Sequence, residues 1–194
     1  MNNIELIKKA AEESVNYINE HIQACNISNR KKDNKFFAPL VYLCQKKCDA
    51  ILGNVEISLL ERLLQCADVI EQYQAGNCMQ QAFLAFKQLI TKFIQLELSN
   101  NQSCIPMSIM TTSNHSFLII NNNIVCDPFF KFVGDLKDYK YSGKRREEYF
   151  GIRSDWTCFD GIIYDENSIH FADRFLKNTV SCDDSTKMSR AGTH

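Results

Sequence analysis

The apolar residues of this chain change period partway along, and that change limits the fold more than any other feature. Ile4, Ile7, Ala11, Val15, Ile18 and Ile22 recur at spacings of three and four, which makes one helical stripe. Phe37, Leu40, Val41, Cys44, Cys48 and Ile51 make a second, stopped by Gly53-Asn54. Ser58-Leu59-Leu60-Glu61 fits a capping box, and the helix it opens is expected to run through Leu64, Ala67 and Ile70 to about Tyr73. Gly76-Asn77 breaks the pattern just before Cys78. A long amphipathic helix starts there, with Ala82, Phe86, Leu89, Ile90 and Phe93 inward and the polar stretch Ser99 to Ser103 at its end.

Beyond that point the pattern becomes strand-like. Candidate strands are Met107 to Thr111, His115 to Ile120, Ile124 to Asp127, Gly161 to Tyr164 and Ile169 to Phe171. Asn121-Asn122-Asn123 is a turn, because asparagine tolerates the left-handed conformation of a tight reversal, and Asp165 to Ser168 is a second. Asn26 to Asn34 is a polar, basic loop, and Lys137 to Glu148, charged with both signs, is a solvated loop. Helices first and antiparallel strands second define an α+β chain. Residues 1–73 form a helical region packed on the core, 74–180 the α+β core, and 181–194 a polar tail.

Composition excludes several classes of function. With 194 residues, 45% of them hydrophobic and 23% charged, the chain can bury a core. Its 22 basic and 23 acidic residues leave a formal net charge of -1, which gives no electrostatic case for binding nucleic acid or an anionic membrane. No apolar run approaches the roughly 18 residues of a membrane span. The start, Met1-Asn2-Asn3-Ile4-Glu5, lacks the profile of a secretory signal peptide, so cytosolic synthesis is expected, with export left to a machine that reads another signal. The nine cysteines are odd in number and scattered through predicted elements, so they are expected reduced and mostly buried.

One cysteine stands apart. A thiol attacks as thiolate, and the free amides and dipole of a helix start favour negative charge. Cys78 sits at such a start, after a glycine that would let a substrate carbonyl approach the backbone, and its amide can face an oxyanion. A base must come from four histidines. His194 is the last residue and His21 flanks a helix, which leaves His115 and His170. His115 is better placed, because Asp127 follows across one hairpin. If the three asparagines form a three-residue loop, Ile120 faces Ile124 and Phe117 faces Asp127. His115 and Asp127 then share a face, diagonally within reach. A two-residue loop would put them on opposite faces.

Gly76-Asn77-Cys78 opening a helix, Asn114-His115-Ser116-Phe117 on a strand and Cys126-Asp127-Pro128 on the next together resemble the papain-like and transglutaminase-like superfamily. The resemblance covers about Gln72 to Phe130. It implies a catalytic helix packed on an antiparallel sheet, a helical N-terminal extension and a Cys78-His115-Asp127 triad. It also implies an oxyanion-hole glutamine six residues before the nucleophile, where Gln72 stands, with Gln74 as the alternative. The chain departs from papain in having no aromatic after Cys78 and Ser rather than Ala after His115. The implied activity is that of a cysteine protease on a protein substrate, without cofactor. Deamidation of glutamine and transglutamination share its first step and stay open. Small size, no signal peptide and unfamiliar N-terminal helices suit a translocated bacterial effector.

Each residue also has a plainer explanation: a core cysteine, a buried structural histidine, a turn aspartate. Order and hairpin spacing together favour the triad. A rival set is metallic: His21 and Cys25, and Cys44 and Cys48, are pairs four apart that could close a zinc site. Cys44 and Cys48 lie on the apolar stripe, however, where packing accounts for them, so no metal is expected. The same two could form a regulatory disulfide, without further support. A non-catalytic helical interaction module is the alternative of a different class.

Overall fold

The helix that begins at Cys78 is the centre of the molecule. The computed structural model describes residues 3–25, 34–96, 105–112, 115–139 and 157–158. Its helices are α1 (Asn3–His21), α2 (Asn34–Leu52), α3 (Leu59–Tyr73) and α4 (Cys78–Gln95). Its strands are β1 (Met107–Thr111), β2 (Ser116–Ile120), β3 (Ile124–Asp127), β4 (Phe132–Asp135) and β5 (Thr157–Cys158). Along α4 the five expected inward residues are fully buried, but so are Phe83, Leu84 and Ala85. A helix with so wide an apolar face has to be covered on more than one side. Here α1 and α3 flank α4 and the sheet, through β1 and β2, covers its third side.

The sheet is antiparallel in the order β4-β3-β2-β1-β5. The β2–β3 hairpin has the three-residue loop: Ile120 pairs with Ile124 and Leu118 with Cys126. Asn121 and Asn122 take left-handed φ values of 50° and 57°. β4 and β5 were not expected from the pattern. β4 is four residues long with Gly134 inside it, where a Cβ would lie 2.8 Å from the Phe132 ring.

Several expectations need correction. Leu40, on the predicted inner stripe of α2, is exposed, as are Tyr42 and Leu43; α2 packs chiefly on α3, through Cys44 and Cys48. Only half of the box at Ser58 forms. The Glu61 amide donates to Ser58 Oγ, while the Glu61 carboxylate accepts from Gln65 instead of the Ser58 amide. The charged stretch after Lys137 is not all solvated loop, since a 3-10 turn (Leu136–Asp138) delivers a buried Tyr139. The strands expected at 161–164 and 169–171, their turn, His170, the tail, the 99–103 stretch and nearly all of the 26–34 loop lie outside the described residues.

Polar links tie α1 and α3 to this core. Lys87 of α4 is anchored by Asp68 at 2.6 Å and Glu71 at 2.5 Å, and Glu71 also accepts from Tyr17 of α1. Among the described residues, no helix is long and apolar enough to cross a membrane.

The left-handed asparagines generate a test. A β-branched side chain there costs roughly 1–2 kcal/mol, whereas glycine costs nothing sterically. Asn122→Val is expected to lower the melting temperature by several degrees and Asn122→Gly to leave it nearly unchanged, as read by circular dichroism.

Candidate active site

Cys78 is the first residue of α4, and the cap that fixes it was missed in the sequence. Asn77 Oδ1 accepts from the Gln80 amide at 3.2 Å, and Gln80 Oε1 accepts from the Asn77 amide at 2.7 Å, which is a complete capping box. Gln45 of α2 braces it: its Oε1 accepts from Asn77 Nδ2 at 2.7 Å and from Gln80 Nε2 at 2.9 Å. The Cys78 and Met79 amides, at the open end of the helix, have no hydrogen-bond acceptor among the described residues.

Gly76 serves packing rather than substrate approach. It is buried, and a Cβ would stand 2.9 Å from Gln80 Cβ. A strap from the end of α1 holds this segment. The amides of Gln23 and Ala24 donate to the Gln74 carbonyl, and the Gly76 amide donates to the Ala24 carbonyl at 2.9 Å.

His115 stands just before β2 rather than on it, because it exchanges hydrogen bonds with Thr112 where the β1–β2 connection closes. Its amide donates to Thr112 Oγ1 at 3.0 Å, and its carbonyl accepts from the Thr112 amide at 2.8 Å. The side chain is 1% exposed, and its ring is walled by Phe117, Phe129 and Phe130, with centroids 5.9, 5.7 and 4.8 Å away. His115 Nε2 donates to Asp127 Oδ2 at 2.7 Å, across the diagonal of the hairpin. The Cys78 side chain lies near enough to the ring to act on its charge.

Asp127 is fully buried and collects three donors. Oδ2 accepts from His115 and from the Tyr139 hydroxyl at 2.5 Å, and Oδ1 accepts from the Phe130 amide at 3.2 Å. Asn19 of α1 donates to the carbonyl of Pro128, the next residue, at 3.1 Å. Burial works against a charged His115 ring most strongly, but hydrogen bonds and attraction from Asp127 and Cys78 together outweigh it. The imidazole is pushed up to about 9.

The structure thus brings Cys78, His115 and Asp127 together and leaves Gln72 and Gln74 exposed, the latter as the left-handed cap of α3. Neither glutamine hydrogen-bonds to a site side chain. The rival metal pairs are not assembled. The His21 ring stacks on Tyr17, with Nδ1 donating to the Tyr17 carbonyl at 2.8 Å. Cys48 and Cys66 each point a thiol at the other's carbonyl, and contact with Cys48, with burial after it, pushes the Cys44 thiol up. No group of three metal-ligating side chains occurs among the described residues. Of the residues that sequence reasoning missed, Asn77 and Gln80 carried a local signal, the Asn-x-x-Gln spacing. Gln45 and Tyr139 carried none, because both act across long separations.

Fold and geometry define the class: an α+β protein with a thiol, an imidazole and a carboxylate close together at the start of a buried helix. Over residues 5–186 the chain matches the family described as Dot/Icm T4SS effector Ceg10, and it belongs to that family. It is accordingly a bacterial effector, of the kind a type IV secretion system delivers into host cells. No curated protein matches the chain.

The raised His115 pKa has a definite sign for stability. The ring titrates near 6.5 when unfolded and near 9 when folded, so its contribution is full below about pH 6.5 and is lost as pH rises through 9. The melting-temperature advantage of the native chain over His115→Gln is therefore expected to be largest near pH 6 and to shrink towards pH 9.5. Paired thermal melts over that range measure it.

Proposed function

We propose that this effector is a cysteine-dependent acyl-transfer enzyme with a papain-like or transglutaminase-like core, and that it cleaves a host protein as a protease. One observation carries this reading: the buried His115 ring is bound by Asp127 on one nitrogen and lies beside the side chain of Cys78, which opens α4. A structural histidine needs one partner; a base between a thiol and a carboxylate is poised to move a proton.

In the mechanism this implies, the Cys78 proton already rests on His115, so that a thiolate stands beside an imidazolium held by Asp127. The Cys78 sulfur attacks the acyl carbon, and the Cys78 and Met79 amides face the resulting oxyanion. Collapse breaks the carbon–nitrogen bond as His115 protonates the leaving amine, which leaves a thioester. Water, losing a proton to His115, attacks the thioester and releases the acid and the thiol. If the broken bond is a peptide bond, the reaction is proteolysis. If it is the side-chain amide of a glutamine, ammonia leaves and the reaction is deamidation. Gln72 and Gln74 remain exposed candidates to approach a bound substrate.

The substitution Cys78→Ala is expected to abolish new host-protein N-termini in a lysate digested with the purified effector, while changing the melting temperature by only a few degrees. Glutamine-to-glutamate conversions in place of new N-termini would turn the reading to deamidase. His115→Ala should be as damaging as Cys78→Ala, and Asp127→Ala should retain more activity. A separate measurement needs no substrate. Iodoacetamide at pH 6 is expected to alkylate Cys78 well ahead of the buried Cys44, Cys48, Cys66 and Cys126, and the lead should disappear in His115→Ala. Equal labelling of all these thiols would leave a non-catalytic interaction module as the better account.

A further inference from the structure

We propose that Tyr139 is a positioning residue of this site: its hydroxyl, donated to the carboxylate oxygen that also binds His115, sets how tightly Asp127 grips the imidazole. The inference deepens the acyl-transfer reading and rests on it for its functional meaning.

Tyr139 is 2% exposed and arrives from outside the hairpin that carries the pair. The turn before it is tied to the hairpin loop by the Leu136 amide, which donates to the Asn123 carbonyl at 2.6 Å. The ring packs on Phe117 and Phe132, with centroids 4.8 and 5.2 Å away. Phenylalanine would fill that space equally well. The hydroxyl has given up water to be there, so its partner must repay the loss. Its 2.5 Å bond to Asp127 Oδ2 lies in the range of charge-assisted O–H···O⁻ bonds.

The groups that act on the pair come from several elements. Asp127 of β3 and Cys78 of α4 face His115. His115 and Tyr139 face Asp127, and the buried Cys126 thiol lies beside it on β3, pushed up by burial and by the carboxylate. Among the described residues no lysine or arginine pairs with Asp127. The carboxylate charge is therefore divided among the His115 ring, the Tyr139 hydroxyl and the Phe130 amide. Two donors share Oδ2, so what the hydroxyl draws off the imidazole does not receive. Removing the hydroxyl makes Asp127 a stronger acceptor for His115 and keeps the ring protonated to higher pH.

The test follows the imidazole C–H signals of the four histidines by NMR titration, with His115→Gln assigning the His115 signal. In Tyr139→Phe the His115 midpoint is expected to rise by about half a unit to one unit. With 3-fluorotyrosine placed at position 139, a more acidic hydroxyl and stronger donor, the midpoint is expected to fall, and this probe decides the matter if Tyr139→Phe folds poorly. A midpoint unmoved by the fluorotyrosine, or moved in the same direction by both, overturns the proposal and leaves Tyr139 as packing. The readout does not depend on turnover. A shifted midpoint with no preferential alkylation of Cys78 would keep Tyr139 in its role and defeat the acyl-transfer reading. A hyper-reactive Cys78 with an unmoved midpoint would do the reverse.

Discussion

A carboxylate that no water reaches has to be surrounded by donors, and the second half of this fold is arranged to supply them to Asp127. An unpaired buried charge costs several kcal/mol, so the donors are a condition of folding as much as of chemistry. The β2–β3 register brings the His115 ring across the hairpin. The turn after β3 brings the Phe130 amide, and the 3-10 turn after β4 brings Tyr139. The three asparagines that set the register are thus linked to the His115–Asp127 pair. With one residue fewer in the loop, Asp127 would face the other side of the sheet and lose its histidine.

The first half of the chain fixes the other partner. α4 is packed by α1, α3 and the sheet, and its first turn reaches the site. That turn is held by the Asn77–Gln80 box, by Gln45 from α2 and by the strap between residues 22–25 and 74–76. α1 touches both sides of the site. Its C-terminal extension holds the segment before Cys78, and its Asn19 holds the carbonyl after Asp127. The N-terminal helix, which matched nothing familiar as a sequence, works as a brace between the segments that carry Cys78 and Asp127.

What could be read in the sequence divides by range. Helix starts and stops such as Gly53-Asn54 and Gly76-Asn77 are local, and so is the length of an asparagine loop between apolar runs. Those readings located α2, α4 and the hairpin, and with them the His115–Asp127 diagonal. Burial by neighbours is not local. Nothing near Leu40 says that α2 meets chiefly α3 and leaves that side open. Nothing near Phe83 says that a third face of α4 will be covered. Ser58 and Asn77 both open capping signatures, yet Glu61 turns to Gln65 while Gln80 returns to its cap. Tyr139 looks like one more residue in a charged stretch until β4, short and interrupted by Gly134, carries it under the hairpin.

The two walls of the site are chemically unlike, and this bears on how the proposed chemistry would work. On the sheet side Phe117, Phe129, Phe130 and Tyr139 surround the imidazole and carboxylate, and there charges interact far more strongly than in water. On the helix side the partly exposed Cys78 lies beside backbone amides at a positive dipole end. Proton transfer from Cys78 to His115 moves positive charge towards the dry wall, where Asp127 waits, and leaves negative charge at the helix start. Each charge then rests where the fold already stabilises its sign. The same separation restrains the acid. Were Asp127 free of its second donor on Oδ2, it would stabilise the imidazolium more strongly, and in the proposed chemistry His115 would release the proton on its other nitrogen to a leaving amine less readily. A hydroxyl there weakens the grip without losing the orientation, which is what a residue that must both take and give a proton requires.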